Sequence, residues 1–407
     1  MSFVKYLECA NCASRYPADQ LQGLCESCSR PLWVKYDFEQ IRVRFKRDDL
    51  RNREQSMWRY LELLPVVNKD AIVSLGETMT PLFRAPKLGA FLGIKDLWVK
   101  DESRLPTGSF KARGMAMAIS RAKELGVTSV AVPTAGNAGG AMAAYAAKAG
   151  LAAYVLMPHD TPIVNQREAV LYGAKTALVD GLIDDCGRLV REGMKEAGWF
   201  DVSTLKEPYR IEGKKTMGLE LAEQFDWKLP DAVLYPTGGG TGLIGMWKAF
   251  EELAELDWLC SPNRPRMIAC QAEGCDPIVR AFEAGERHAE RAQDPSTCAA
   301  GIRVPIAVGD FMILDAVRES QGVAMRGSEA EIHYWMKQAC QLEGLALCPE
   351  SAVCLSVLAQ AVNEGGISKN DRIVLFNTGA AQKYLEVLPD ELRQLDSSDK
   401  RWWLQLG

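Results

Sequence analysis

The chain of 407 residues has no long run of bulky apolar side chains. Its longest apolar-looking stretch, "VPTAGNAGGAMAAYAAKAG", is built of alanine and glycine and broken by Pro133 and Asn137, which is too little bulk for a bilayer span. There is no excess of positive charge either: the net charge is −5 and the pI near 5.6, so nothing in the bulk composition suits nucleic acid or an anionic membrane surface. The opening residues "MSFVKYLECANC" lack the apolar core of a signal peptide. With twelve cysteines and no such signal, a reducing cytoplasm is expected, and disulfides are not. No internal repeat and no low-complexity tract is present. A Walker loop, which ends in GK[ST], is missing. What remains is a globular composition, 47% hydrophobic and 25% charged, on a chain long enough for two or three domains.

Four of the cysteines have ligand spacing. "CANC" (Cys9, Cys12) is followed twelve residues later by "CESC" (Cys25, Cys28), and two CxxC turns can aim four thiolates at one tetrahedral zinc ion. A closed four-sulfur site has no open position for substrate, so its expected role is structural. Only one arginine and no lysine lie between Cys9 and Cys28, which leaves this ribbon without the electrostatic footprint of a nucleic-acid binder. The other eight cysteines have no ligand spacing and are expected in the core.

Residues 36–70 are charged, and "DDLRNREQSMWRYLELLP" has a helical pattern ending at Pro65, read as a connecting helix. From about Leu97 short apolar strands alternate with helices: "LWVK", "SVAVPT", "AAYVLMP" and "AKTALVD", then "DAVLYP", "RMIACQAEG" and "DRIVLFNTG". Strands separated by helices of this length make βαβ units. The pattern restarts midway, so the expected fold is α/β, with two parallel sheets and a cleft between them.

Three loops at strand ends are suited to chemistry. "YPTGGGTG", with Gly238, Gly239, Gly240, Thr241 and Gly242, follows an apolar strand and opens a helix; consecutive glycines let the backbone approach an anion while the helix presents free N–H groups. "PTAGNAGG" repeats the strand-to-helix geometry and offers one side-chain amide, Asn137, able to cap the helix or meet a ligand oxygen. In "FNTGAA", Thr378 lies just past a strand's C-terminal end, where ligands of open parallel sheets gather. A fourth stretch, "RLPTGSFKARG", places Lys111 at a helix entry after Thr107 and Ser109, either of which can cap the free amides.

A lysine at a helix start, an anion cradle, an amide loop and a strand-end hydroxyl together describe a pyridoxal phosphate site. The chain resembles the threonine synthase family of pyridoxal-phosphate enzymes, which have the tryptophan-synthase-β (fold type II) architecture. "PTGSFKARG" is similar to that family's Schiff-base lysine motif, "AGNAGGAMAAYAAKAG" to its asparagine loop, "PTGGGTG" to its phosphate loop and "NTG" to its pyridine-nitrogen contact. "SLGETMTPLFRAPKLG", "MWRYLELLP", "YRIEGKKTMGLELAEQ" and "QAEGCDPIVRAF" match further segments in colinear order, and some members have a four-cysteine ribbon.

The resemblance implies a zinc ribbon at 1–35, connecting helices at 36–75, a large cofactor-binding domain at 76–108 and 205–395, and a small α/β domain at 109–204. It implies that Lys111 carries the cofactor and then acts as the catalytic base, with Phe110 beside it. The five cradle residues hold the phosphate, Asn137 meets the 3-hydroxyl oxygen, and Thr378 faces the pyridine nitrogen. A hydroxyl there makes the ring a weaker electron sink than a carboxylate would, which suits elimination or replacement better than transamination. A homodimer is also implied.

Substrate contacts are expected from Thr134, Ala135, Gly136 and Asn137 on the carboxylate, and from Arg167 on a substrate phosphate, with Arg210, Lys214 and Lys215 as further candidates. The leading reading is conversion of O-phosphohomoserine and water to threonine and phosphate. Two alternatives stay open: a threonine or serine ammonia-lyase, and β-replacement on O-phosphoserine as in cysteate synthase. A non-catalytic pyridoxal-binding regulatory or zinc-ribbon protein is a further class, disfavoured because the lysine, cradle, amide and hydroxyl are all present. The chain departs from the family at Ala135 and Ala138, where hydroxyl residues are usual, and at "DGLIDD", where many members have Gly-Asn.

Overall fold

A computed structural model describes residues 2–389 together with Leu392, Gln394, Leu395, Ser398 and Arg401. The expected limit of the large domain at 395 therefore falls among residues that are only partly described.

The N-terminal ribbon is a small antiparallel sheet of β1 (Val4–Cys9), β2 (Arg15–Tyr16) and β3 (Leu32–Tyr36), ordered β2-β1-β3. Helix α1 (Phe38–Arg44) follows, capped by Asp37, whose carboxylate accepts from the Gln40 amide at 3.1 Å. The helical pattern read after it does not form one α-helix. It folds as two 3-10 segments, Arg47–Asn52 and Met57–Leu63, because its side chains are claimed by distant partners. Tyr60 Oη and Arg59 Nη2 donate to Glu223 at 2.5 and 2.8 Å, and Trp58 Nε1 donates to Glu77 at 2.9 Å.

The chain then runs through β4 (Leu82–Arg84), α2 (Pro86–Leu92), β5 (Asp96–Asp101) and α3 (Lys111–Glu124). Next come β6 (Ser129–Pro133), α4 (Ala138–Ala149), β7 (Ala152–Pro158), α5 (Ile163–Leu171), β8 (Lys175–Val179), α6 (Ile183–Ala197) and β9 (Phe200–Asp201). The last stretch is α7 (Tyr209–Gln224), β10 (Ala232–Pro236), α8 (Thr241–Glu255), β11 (Arg266–Ala272), α9 (Pro277–Glu283), α10 (Asp310–Glu319), β12 (Val323–Gly327), α11 (Ile332–Glu343), α12 (Pro349–Asn363) and β13 (Arg372–Asn377).

Two sheets result, as the strand–helix alternation implies. One has the order β12-β11-β10-β13-β5-β4, parallel except for the edge strand β4; the other is fully parallel, β8-β7-β6-β9. The strands β4, β9 and β12 were not read from the sequence: they are short, or lack the continuous apolar run that marks a strand buried on both faces. Each sheet has a point where connections diverge, β13 and β11 on either side of β10, and β9 and β7 on either side of β6. Loops leaving those strands open the crevices in which parallel sheets bind ligands. The glycine loop follows β10, Thr378 follows β13 and the asparagine loop follows β6.

Candidate active site

Lys111 owes its place to the last strand. Phe110 N donates to Thr378 O at 3.0 Å and Ala380 N donates to Gly108 O at 2.8 Å, so the loop before α3 is stitched to the segment after β13. Beneath the first turn of α3 lies a buried ionic network. Arg113 donates to Glu102 at 2.6 Å and to Glu220 at 2.8 Å, and Lys100 donates to the same Glu220 at 2.7 Å. These pairs fix α3 against β5 and α7, and with it the base of Lys111. No side chain caps α3: Thr107 Oγ1 and Ser109 Oγ are buried without a protein partner, so the capping expected of them does not occur. Lys111 Nζ stands 3.9 Å from the centre of the Phe110 ring. Burial and the Arg210 charge bring its pKa down to about 7, against the opposing pull of Glu350 and Cys348.

Lys111 opens on a cavity of ≈460 Å³ bounded by the three strand-end loops. In the glycine loop the absence of side chains is obligatory. A Cβ on Gly238 would lie 2.9 Å from Ile302 Cα, and one on Gly239 would lie 2.7 Å from Thr204 Cγ2. Gly240 has φ of +72° and starts α8 with no side-chain cap, which leaves the N-terminal amides of that helix free. In the asparagine loop Asn137 does not cap α4. Its Nδ2 donates to Tyr384 Oη at 2.9 Å, while Oδ1 is buried without a partner. Thr134 and Gly136 bond each other at 3.1 Å and hold that loop closed on itself. Thr378 is buried on the cavity wall, its amide donating to Ser351 Oγ at 3.0 Å.

Beside Thr378 is a residue that sequence reading missed. Glu350 lines the cavity, accepts from Gly301 N at 2.7 Å through Oε1, and keeps Oε2 buried and unpartnered. Tyr384 was missed for the same reason. Each comes to the cavity from its own segment, and no local pattern announces that meeting.

The basic candidates separate sharply. Arg210 is buried on the cavity wall; one Nη donates to Val202 O at 2.7 Å, and Nε and the other Nη have no partner. Arg167 is corrected: it is exposed on α5, whose buried side chains are Asn165 and Ala169, and it does not line the cavity. Lys215 is also corrected. It is consumed by Glu212 and Glu252 at 2.6 and 2.8 Å, in a cluster that includes Lys248 and Tyr36. Lys214 lies behind the glycine loop rather than on the cavity wall, its Nζ donating to Thr241 Oγ1 at 2.6 Å. Across the cavity, two ion pairs join segments that flank the two sheets, Arg303 to Asp160 at 2.8 Å and Arg291 to Asp184 in the first turn of α6.

Far from this cavity, the sulfurs of Cys9, Cys12, Cys25 and Cys28 all lie within 4.8 Å of one another, a cluster able to hold a metal ion. The amides of Asn11 and Cys12 donate to Cys9 Sγ at 3.4 Å, as suits a thiolate. No helix among the described residues is long and apolar enough to cross a membrane.

The cavity fits a flat, phosphorylated aldehyde. It offers an amine that can be neutral near pH 7, a cradle that admits no Cβ, and an unsatisfied amide oxygen. Comparison with known proteins agrees. The pattern of the family described as pyridoxal-phosphate dependent enzyme matches residues 73–379. The chain is 37% identical to threonine synthase of Methanocaldococcus jannaschii, covering 92% of each chain, and 35% identical to threonine synthase of Methanosarcina acetivorans, covering 92% of this chain and 91% of that one. Among solved structures it is similar in fold to maize serine racemase (TM-score 0.64, 23% identity, 74% of this chain and 88% of that one). It is also similar to diaminopropionate ammonia lyase of Escherichia coli (TM-score 0.67, 20% identity, 78% and 90%).

Proposed function

The chain belongs to the threonine synthase family of pyridoxal-phosphate dependent lyases, and from that premise we propose that it converts O-phosphohomoserine and water to threonine and phosphate. The observation that carries the choice of substrate is Arg210. The cofactor's phosphate has the glycine cradle, and a substrate carboxylate has the amides of Ala135 and Asn137, those of Thr134 and Gly136 being bonded within the protein. A third anion site is needed only if the substrate has a phosphate of its own. Arg210 supplies it: a buried guanidinium on the cavity wall with two unpartnered nitrogens and no carboxylate bonded to it.

When bound, pyridoxal phosphate accepts the electron pair released by C–H cleavage. The protein's part is to hold and move protons. Lys111 Nζ, unprotonated for much of the time near pH 7, takes the substrate's α proton and then a β proton. Phosphate leaves as the Cγ–O bond breaks. Water then adds its hydroxyl at Cβ and gives its remaining proton to the released phosphate, and Lys111 returns the two protons it removed, one to Cγ and one to Cα. Asn137 would orient the cofactor's 3-hydroxyl oxygen, Thr378 would face its pyridine nitrogen, and the amides of Gly238–Gly242 with Thr241 Oγ1 would hold its phosphate. A small body at 109–204 closing on a large one at 76–108 and 205–395 would exclude water other than the reactant, and the ion pairs Arg303–Asp160 and Arg291–Asp184 support that division.

The cysteine cluster supports one structural zinc per chain, to be read by metal analysis of the purified protein. Twelve unbridged cysteines support a reducing, cytoplasmic setting, and the family supports a homodimer. The deciding experiment offers O-phosphohomoserine, O-phosphoserine, threonine and serine in parallel, with phosphate and ammonia release followed. Threonine and phosphate formed in equal amounts are expected. Ammonia from threonine without phosphate dependence would establish the ammonia-lyase instead, which the alanines at 135 and 138 would suit.

A further inference from the structure

Lys214 is the one candidate cation left without an assignment. It is fully buried between α3, α7 and α8, and no carboxylate pairs with it among the described residues. Its Cε packs where a Cβ on Gly114 would come within 3.0 Å, its Nζ is 5.0 Å from the centre of the Phe110 ring, and its one polar partner is Thr241 Oγ1. A lone buried ammonium is costly, and proteins avoid it unless something pairs with it. Among the described residues, the other lysines fully shut off from solvent have carboxylate partners: Lys100 has Glu220, and Lys215 has Glu212 and Glu252. The hydroxyl that Lys214 touches belongs to the first residue of α8, in the cradle itself.

We infer that Lys214 is a positioning residue for the cofactor's phosphate: its ammonium, acting through the Thr241 hydroxyl, neutralises the dianion held by the glycine loop. The inference rests on the pyridoxal phosphate reading of the cavity. Without the anion, burial and the charges of Arg210 on α7 and Lys111 on α3 push the Lys214 amine well below its usual range, with Glu207 opposing. When the dianion arrives, the amine gains its missing counter-charge and takes up a proton. The Thr241 hydroxyl, accepting from Lys214, is thereby turned to donate to a phosphate oxygen. A purely structural lysine would instead need its contacts in the empty protein.

The test compares pyridoxal 5′-phosphate with pyridoxal, which lacks the phosphate, as probes of the full-length apo-protein. Affinities are read by absorbance titration, and the unfolding midpoint of each apo-protein is recorded. In Lys214→Gln and Lys214→Met the preference for the phosphorylated probe should fall by about tenfold or more, while pyridoxal affinity stays within about twofold. The apo-variants should melt at or above the wild-type temperature, since they remove an unpaired buried amine. An unchanged preference overturns the inference and leaves the cofactor reading standing. Variants that fail to fold as apo-proteins overturn it too, because the amine would then serve the fold. A wild-type protein that binds neither probe defeats the cofactor reading and this inference with it.

Discussion

Helix α7 carries two sets of buried charges that behave in opposite ways. On one side, Glu220 joins Arg113 and Lys100, and Glu212 joins Lys215 and Lys248; each of these charges has partners within bonding distance. On the other, Arg210 and Lys214, one turn apart and close to Lys111, have no carboxylate bonded to them. Against the burial that alone would raise it, Arg113 and Lys100 hold Glu220 down to about 2, while Lys111 is held down to about 7 by burial and the charge of Arg210. The fold consumes the first set. The second set is left without carboxylates, and in the reading proposed above its anions would arrive with the ligands. A buried charge thus reveals its purpose less by its type than by whether its partner is part of the chain.

The most damaging way to break this contrast is at Lys111. Lys111→Ala should lose the visible absorption of the bound cofactor and cut turnover by ~10²–10⁴-fold, with the apo-protein still folded; a variant with wild-type spectrum and rate would remove Lys111 from the chemistry. Arg113→Ala attacks the paired set. It leaves Glu102 and Glu220 buried without their guanidinium, and denaturant unfolding should show a loss of about 3–5 kcal/mol. Arg210→Gln should do the reverse, leaving stability nearly unchanged while kcat/KM for O-phosphohomoserine falls by roughly 10- to 100-fold, the value of a charge-assisted hydrogen bond to phosphate. If turnover of threonine or serine falls as much, Arg210 is not a phosphate contact.

The smallest effect, and the finest discriminator, is the dependence of stability on pH. Lys111 is depressed in the folded protein, so the unfolded chain binds its proton first. Its penalty is absent above the unfolded value of 10.5, grows as the pH falls, and is complete below about 7. Lys111→Met should therefore stabilise the apo-protein most below pH 7, and the gain should shrink as the pH is raised to 9. Glu220, also depressed, contributes stability above its usual value of 4.5 that is lost as the pH falls toward 2. Parallel pH profiles for wild type and Lys111→Met would contradict the depressed lysine.

Much of this site is legible in the chain because its loops follow strands directly. "PTGGGTG", "PTAGNAGG" and "FNTG" each continue an apolar run, and a parallel sheet places such loops at its C-terminal edge. Arg167 and Arg210 look alike in sequence, each an arginine on a helix of the alternating pattern, yet one is exposed and the other buried on the cavity wall. Which face of α5 or α7 meets the cavity is set by the elements packed against each helix, which no single segment shows. Glu350 and Tyr384 escape sequence reading for that reason. The stretch after α1 was misjudged because helical periodicity cannot register the pull of Glu77 and Glu223 on Trp58, Arg59 and Tyr60.

By itself the sequence determined the alternation of the main strands and helices, the four-cysteine spacing and the glycines that an anion cradle demands, since backbone conformation and hydrophobic periodicity are local properties. Tertiary structure alone decided which buried cations found carboxylates and which did not. Pairing requires groups from separate elements to come within about 3 Å, and only packing sets that distance.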